Sequence, residues 1–416
     1  MSMTTFEGRI ENILQRHDQV PGVSLTLVQD FQSYPLAFGL ASVSKNEVMT
    51  TEHYLQCASL SKTVAAAFAI EYFQHRHNIP MTTSVNSLLL RYRASWKIEV
   101  SSTNTTLPQA SGDDVTLAML INHTALGMHY VYGIPLNRYV PRPVELLDGT
   151  FATQYKYPRL YLERVPGKSF SYSGGGFVVL QYLIELIEET SIDVVTRSFL
   201  DASGLQDFTF FQLQGPLTAT YATGHVRPNQ EVNPPLAFPP FAAGGLCTTK
   251  ALSQFLIHLA QAYHNTSGSG AIRHETARLM LGETSLVDLG SLNFMGAKMG
   301  LGVFVTEAGN NKIMLHQAAN DGFRGVYMLC YEGNDAGKGF VLLTNGDNPA
   351  VLLQSELCRF LLGPQGLNFS GINFNYYDEN PIQFDMSSVN QESIVNKGLK
   401  DLVINAFIPP HTRSKL

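Results

Sequence analysis

Cysteine is scarce in this sequence. The 416 residues contain four cysteines, Cys57, Cys247, Cys330 and Cys358, and these lie far apart with no paired spacing. Zinc sites and disulfide frameworks both show recurrent, closely spaced cysteines, so the sequence indicates neither of them. This usage favours a reducing compartment.

Blocks of like charge and long apolar runs are also lacking. The net charge of −6 is spread along the chain, which argues against nucleic acid or an anionic membrane as a partner. No apolar stretch approaches the roughly 20 residues that span a bilayer, so membrane insertion is not expected. The first residues lack the basic start and apolar run of a secretory signal, and we expect an intracellular protein.

The C-terminal residues carry one targeting signal. The chain ends in Ser414, Lys415 and Leu416. A terminal Ser-Lys-Leu is the peroxisomal address that an import receptor reads. The sequence therefore predicts a peroxisomal location in a eukaryotic cell, with binding to that receptor. The alternative is a chance tripeptide on a cytoplasmic protein.

Hydrophobic residues make up 44% of the chain, enough for a large core. Their spacing and the flanking turn residues predict strands at 23–28, 34–41, 302–306, 312–316, 326–331 and 339–344. The same signals predict helices at 63–73, 117–122, 177–189 and 249–263. Strands at both ends of the chain with helices between them predict an α+β fold, an antiparallel sheet flanked by helices with an inserted helical lobe at roughly 75–240. Residues 363–416 resemble an appendage.

A Ser-x-x-Lys motif lies where the second predicted strand region gives way to the first helix. Residues three apart on a helix share one face, which brings the Lys62 amine within reach of Ser59. Serine is a weak nucleophile until a base removes its proton. Burial lowers the pKa of a lysine and so makes it such a base, and the alanine-rich helix after Lys62 predicts burial. By itself the motif is common, and a surface serine with a solvated lysine is the alternative.

Six ordered segments resemble the serine β-lactamase and penicillin-binding protein superfamily, in particular its class C β-lactamase-like branch. They are QCASLSKT (56–63), DVTLAMLINHT (114–124), PGKSFSYSG (166–174), AGGLCTT (243–249), MGLG (299–302) and HQAANDGF (316–323). The resemblance spans roughly residues 5–362. It implies the β-lactamase/transpeptidase fold and places Ser59, Lys62 and Tyr172 as the catalytic residues. Tyr172 would then share the proton as base and acid.

The same resemblance assigns the substrate side of the site and shows departures there. Gly174 stands where β-lactamases often carry an asparagine, and His316 stands where they carry the lysine of Lys-Thr-Gly. A histidine with an ordinary pKa is mostly neutral at pH 7, so recognition of a substrate carboxylate is weakened. The backbone N–H of Ala319 would be the second oxyanion donor beside that of Ser59, although Ala318 replaces the family's glycine.

Three further positions are open to two interpretations. Tyr130 and Tyr132 lie in an aromatic stretch, and they either line an acyl pocket or pack in the core. Asn320 begins an Asn-Asp-Gly sequence, which is typical of a turn, although it could orient substrate.

The predicted activity is that of a serine hydrolase or acyltransferase acting on esters or thioesters through an acyl-Ser59 intermediate. Within the family that the chain resembles, this arrangement is shared by esterases and by transesterases that load acyl groups onto secondary metabolites. One alternative is a β-lactamase or D-aminopeptidase-like amide hydrolase, and another is a catalytically silent scaffold protein. No organic cofactor or metal is implied.

Overall fold

A computed structural model describes residues 3–101, 110–128, 131–212, 220–265, 271–282, 285–290 and 296–370. Tyr130 and the segment 371–416, including Ser414, Lys415 and Leu416, lie outside these ranges. Predictions that rest on them stay predictions.

One large antiparallel sheet runs through the described residues. Its strands in chain order are β1 (Gly22–Gln29), β2 (Gln32–Ser42), β3 (Glu47–Val48), β11 (Val287–Asp288), β12 (Lys298–Met299), β13 (Phe304–Ala308), β14 (Asn311–Asn320), β15 (Phe323–Glu332) and β16 (Gly339–Thr344). The spatial order is β11-β12-β13-β14-β15-β16-β1-β2-β3. Strands from the two ends of the chain therefore meet where β1 pairs with β16, Val23 lying opposite Thr344.

Short strands form three smaller sheets. They are β4 (Leu55–Ala58), β5 (Ile134–Pro135), β6 (Phe208–Thr209), β7 (His225–Arg227), β8 (Gln230–Glu231), β9 (Leu236–Ala237) and β10 (Gly245–Cys247). In one of these sheets β10 lies between β4 and β6. This pairing brings the strand that leads to Ser59 against a segment almost 190 residues later in the chain.

Helices cover both faces of the large sheet. Their bounds are α1 (Met3–Arg16), α2 (Ser61–Ile70), α3 (Val85–Arg91), α4 (Leu117–Ile121), α5 (Pro143–Leu147), α6 (Gly174–Glu188), α7 (Ile192–Ala202), α8 (Thr249–Tyr263), α9 (His274–Leu281) and α10 (Pro349–Leu362), with π-helical turns at Glu71–Arg76 and Pro240–Gly244. One core cluster joins α1 and α10 to one sheet face. The larger cluster joins α2, α6 and α8 to the other face.

The predicted α+β class with an antiparallel sheet is confirmed. Helix α2 is buried on every side, as its composition predicts, because it lies between the sheet and the other helices. Helix α6 begins at Gly174, within the triple glycine, and not after it. The predicted bounds of the helical lobe, 75–240, stay a prediction. None of the described helices is long and apolar enough to cross a membrane.

Several strand and helix predictions need correction. Strand β14 continues to Asn320, four residues beyond the predicted end, because pairing with β15 extends to Asn320 opposite Phe323. The turn is therefore Asp321 and Gly322 alone. Six of the described helices were not predicted: α1, α3, α5, α7, α9 and α10. The apolar residues Phe6, Ile10 and Ile13 of α1 show helical spacing and pack in the core, so the signal was present.

Candidate active site

Ser59 lies in the turn between β4 and α2. Strand β4 ends at Ala58, whose φ of 44° is in the left-handed region that residues with a Cβ rarely adopt. Ser59 and Leu60 follow in a turn, and helix α2 begins at Ser61. The strained residue therefore directly precedes the serine, as strained residues often do at functional sites.

Ser61 connects this turn to strand β10 through hydrogen bonds. Its hydroxyl donates to the carbonyl of Ala58 at 2.5 Å and accepts from the N–H of Gly245 at 2.8 Å. A Cβ on Gly245 would lie 2.7 Å from the Cys57 sulfur and 2.8 Å from the Ser61 oxygen, so only glycine allows this approach. Sequence analysis did not assign this role to Ser61, because its partners come from distant parts of the chain.

Lys62 lies within hydrogen-bond distance of Ser59. Its Nζ lies 3.2 Å from the Ser59 Oγ and donates to the carbonyl of Ala242 at 2.5 Å. The side chain is 1% exposed. Burial lowers the pKa of Lys62 to about 7, because the charged form loses its hydration. Near neutral pH the amine is therefore available to accept the proton of Ser59.

The aromatic ring of Tyr172 contributes to this burial. The Lys62 Nζ lies 4.8 Å from the centre of the Tyr172 ring and 5.7 Å from that of Phe177. The ring of Tyr172 also stacks on Phe304 and lies 4.4 Å from that of His123. The structure thus brings Ser59, Lys62 and Tyr172 together, as the family resemblance implies.

Hydrogen bonds of Ser173, the residue after Tyr172, hold this segment in place. His123 Nδ1 accepts from the N–H of Ser173 at 3.0 Å. The Ser173 hydroxyl accepts from the N–H of Gly176 at 2.9 Å as the cap of α6 and donates to the carbonyl of Gly127 at 2.5 Å. Its hydrogen bonds are therefore used within the fold, and Ser173 does not replace the amide that Gly174 lacks.

His316 is a neutral imidazole beside the base. The side chain is buried, and its Nδ1 lies 2.7 Å from the Gln317 carbonyl. Burial, followed by the nearby charge of Lys62, lowers the pKa of His316 to about 3. Since Nδ1 is the donor to that carbonyl, Nε2 carries a lone pair. None of the residues in the described ranges hydrogen-bonds to it.

Strand β14 offers an open edge next to the site. Its pairing with β13 ends at Leu315, and among the residues that the structure describes, 316–320 pair with β15 alone. Asn320 and Phe323 flank a two-residue turn and form a hydrogen-bonded pair, and such pairs alternate along an antiparallel ladder. The Ala319 N–H therefore points away from β15, toward the open edge, where an oxyanion donor is required.

The methyl group of Ala318 does not obstruct this strand. It is buried in the larger core cluster, on the sheet face that carries α2. Its neighbour across the ladder is Gly325, and the pairing of β14 with β15 runs without interruption through Ala318.

The sequence model of the family described as Beta-lactamase matches residues 9–356. The chain belongs to the beta-lactamase family. A search of curated proteins found no match. Membership of this family indicates a serine hydrolase, and the Ser59 and Lys62 side chains of its Ser-x-x-Lys motif lie within hydrogen-bond distance.

Solved structures of the same superfamily share this fold at low sequence identity. The octameric penicillin-binding protein homologue from Pyrococcus abyssi is 18% identical with a TM-score of 0.65, covering 91% of this chain and 81% of its own. SurE is 19% identical with a TM-score of 0.63, covering 87% and 76%. The D-amino acid amidase from Ochrobactrum anthropi SV3 is 16% identical with a TM-score of 0.58, covering 82% and 91%.

Of Tyr130 and Tyr132, the structure describes Tyr132. Its ring is 45% exposed and lies 5.5 Å from the Lys156 Nζ, while its carbonyl accepts from the Tyr157 hydroxyl at 2.7 Å. These contacts are not with Ser59, Lys62 or Tyr172. An acyl-pocket role for Tyr130 and Tyr132 stays a prediction.

Proposed function

We propose that this member of the beta-lactamase family is an esterase or acyltransferase that acts on esters or thioesters through an acyl-Ser59 intermediate. The observation that carries the proposal is the pairing of an activated Ser59–Lys62 site with an uncharged His316. The Ser59–Lys62 pair supplies the nucleophile. His316 places a hydrogen-bond acceptor where β-lactamases carry the cation of a lysine.

The chemistry begins with the transfer of the Ser59 proton to the neutral Lys62 amine as the Ser59 Oγ attacks the carbonyl carbon. The carbonyl oxygen becomes an oxyanion, which the N–H groups of Ser59 and Ala319 stabilise. The bond to the alcohol or thiol then breaks, and the leaving group takes a proton from Lys62, with Tyr172 as a relay. Water, an alcohol or an amine next attacks the acyl-enzyme, and its proton returns through the same residues.

His316 supports esters over β-lactams as substrates. A β-lactam antibiotic carries a carboxylate, which a lysine at this position attracts. The neutral imidazole of His316 has no charge to offer, and its Nε2 lone pair would repel the carboxylate oxygens. The absence of a side-chain amide at Gly174 removes a second polar contact. Neutral esters do not need either interaction.

We expect the wild type to hydrolyse p-nitrophenyl esters with a kcat/KM at least about 100-fold above that for nitrocefin. Replacement of His316 by Lys should raise nitrocefin turnover about 10- to 100-fold, because a charge-assisted hydrogen bond contributes roughly 1.5–3 kcal/mol. His316→Gln, which adds no charge, is the matched control and should not raise it. Steady-state kinetics on the three proteins measures both ratios.

Two results would contradict this ranking. Nitrocefin turnover equal to ester turnover in the wild type would favour the β-lactamase alternative. Turnover of D-amino acid amides above that of esters would favour an amidase instead. Adding an alcohol or amine to the ester assay then separates hydrolysis from transfer, since an acyltransferase forms the new ester or amide.

A peroxisomal location is also proposed, from the sequence signal at Ser414, Lys415 and Leu416. Peroxisomes hold acyl-CoA thioesters, which are acyl donors of the proposed class. We expect the full chain with an N-terminal fluorescent protein to co-localise with a peroxisomal marker. Deletion of Leu416 should release it into the cytosol, whereas Lys250→Ala, at an exposed position in helix α8, should not. A diffuse signal from the intact chain would contradict the proposal.

A further inference from the structure

Asn320 is a buried polar residue next to the proposed oxyanion donor. It is the last residue of β14 and is 5% exposed. Its Nδ2 donates to the Oε1 of Gln56 at 2.8 Å and to the carbonyl of Ala243 at 3.0 Å. Both amide protons are therefore used, and both acceptors are oxygen atoms from other parts of the chain.

These two bonds lead to the other parts of the site. Gln56 lies on β4, three residues before Ser59, and its own Nε2 donates to the Leu236 carbonyl at 3.0 Å. Ala243 directly follows Ala242, whose carbonyl accepts from Lys62. The Asn320 amide thus contacts the strand of the nucleophile and the segment that holds the base.

The two proposed oxyanion donors lie on, or directly after, strands of two different sheets. Strand β14 belongs to the large sheet and β4 to the small sheet with β10 and β6, and no ladder joins the two sheets among the described residues. The edge of β14 beyond Leu315 has no partner strand in the same ranges. The spacing between the two proposed oxyanion donors, at Ser59 and Ala319, therefore depends on side-chain contacts between the sheets. The Asn320 bonds are two of these contacts, and the hydrogen bond between Thr63 of α2 and Tyr327 of β15 is another.

We propose that Asn320 is a positioning residue that sets the oxyanion hole. Its two hydrogen bonds hold the Ala319 N–H at a fixed distance from the turn of Ser59, and they hold the segment that binds Lys62 in register with both. This inference rests on the proposed acyl transfer at Ser59. The positioning role requires a side chain with two N–H donors, such as the asparagine amide, because both acceptors are oxygen atoms.

The first test is steady-state ester kinetics on Asn320→Ala and Asn320→Asp. Asn320→Ala should lower kcat about 10- to 100-fold with KM within about threefold, since a misplaced donor weakens binding of the transition state and not of the substrate. The pH below which its kcat/KM falls, which reports the pKa of Lys62, should be the same as in the wild type. Asn320→Asp should lower kcat at least as much. Its carboxylate, placed against the residue that follows the Lys62 acceptor Ala242, should also favour the ammonium form of Lys62 and so move the fall of activity on the acid side to higher pH.

Asn311→Ala is the matched control. Asn311 is also a buried asparagine of β14, and its Nδ2 donates to Asp335 at 2.7 Å and to the carbonyl of Ser370 at 3.1 Å. It lies nine residues from Asn320, about 30 Å along a strand. Loss of its amide should reduce thermal stability in the same way but leave kcat per folded molecule unchanged within about twofold.

Gln56→Ala provides a second route if the Asn320 variants fold poorly, because it removes one acceptor at a half-buried position. It should lower kcat about 5- to 50-fold. The double variant with Asn320→Ala should lose much less than the product of the two single effects, as expected for residues in one network.

The outcomes separate this proposal from the function itself. A folded wild type without ester turnover and without labelling of Ser59 overturns the proposed function. An active wild type with Asn320→Ala or Gln56→Ala within twofold of its kcat overturns the positioning role. An equal loss in Asn311→Ala would show that reduced stability explains the effect, and would overturn it as well.

Discussion

Replacement of Ser59 by Ala is expected to lower ester turnover by at least about 10⁴-fold and to abolish labelling by a fluorophosphonate probe. The Ser59 Oγ is the atom that forms the acyl bond, and no general base or oxyanion donor can replace it. Removal of the nucleophile in serine hydrolases leaves only residual catalysis from binding and the oxyanion hole. Intact-mass spectrometry measures the adduct, and a chromogenic ester measures the rate.

The matched control for this result is Ser253→Ala. Ser253 is a buried serine of helix α8 whose hydroxyl donates to the Lys250 carbonyl at 2.7 Å. The Ser253→Ala variant should be less stable than the wild type but should keep its labelling by the probe and its ester turnover. If a folded wild type forms no adduct at all, the catalytically silent scaffold becomes the better interpretation. If the adduct persists in Ser59→Ala, the nucleophile lies elsewhere.

Replacement of Lys62 by Met is expected to lower kcat/KM about 10³- to 10⁴-fold, because the base that accepts the Ser59 proton is lost. Methionine fills a similar volume and suits the apolar surroundings, so the fold should persist. Lys62→Arg should be equally inactive. A guanidinium stays protonated at every working pH and cannot accept a proton. Ester kinetics with circular dichroism as a folding check measures both.

The pH profile of the wild type tests the same assignment. The pKa of Lys62 is lowered to about 7, so the neutral amine predominates above that pH. We expect kcat/KM to fall below pH 7 and to reach a plateau above it. The buried His316, with a pKa of about 3, remains neutral throughout this range. A profile flat from pH 5 to 9, or full activity in Lys62→Arg, would exclude Lys62 as the base.

Local patterns were sufficient for much of the fold. Strand β16 and helix α8 have the bounds predicted for them, because alternation and helical spacing of apolar residues are local properties. Helix α10 was not predicted, although it packs Leu353 and Leu357 into the core. The end of β14 was placed four residues too early, although the turn that Asn-Asp-Gly predicts is present at Asp321 and Gly322, between the paired Asn320 and Phe323.

The sequence by itself determined the chemical identity of the site: a serine and a lysine three residues apart before a buried helix, with Tyr172 and His316 added by resemblance. The tertiary structure alone decided what these groups can do. The low pKa of Lys62 comes from burial near Tyr172 and Phe177, more than 100 residues away in the chain. The contact of Asn320 with Gln56 likewise joins residues 264 positions apart. The alanine-rich helix predicted that Lys62 is buried, but the side chains that bury it and the contacts of Asn320 depend on which distant segments pack together, and no local pattern contains that information.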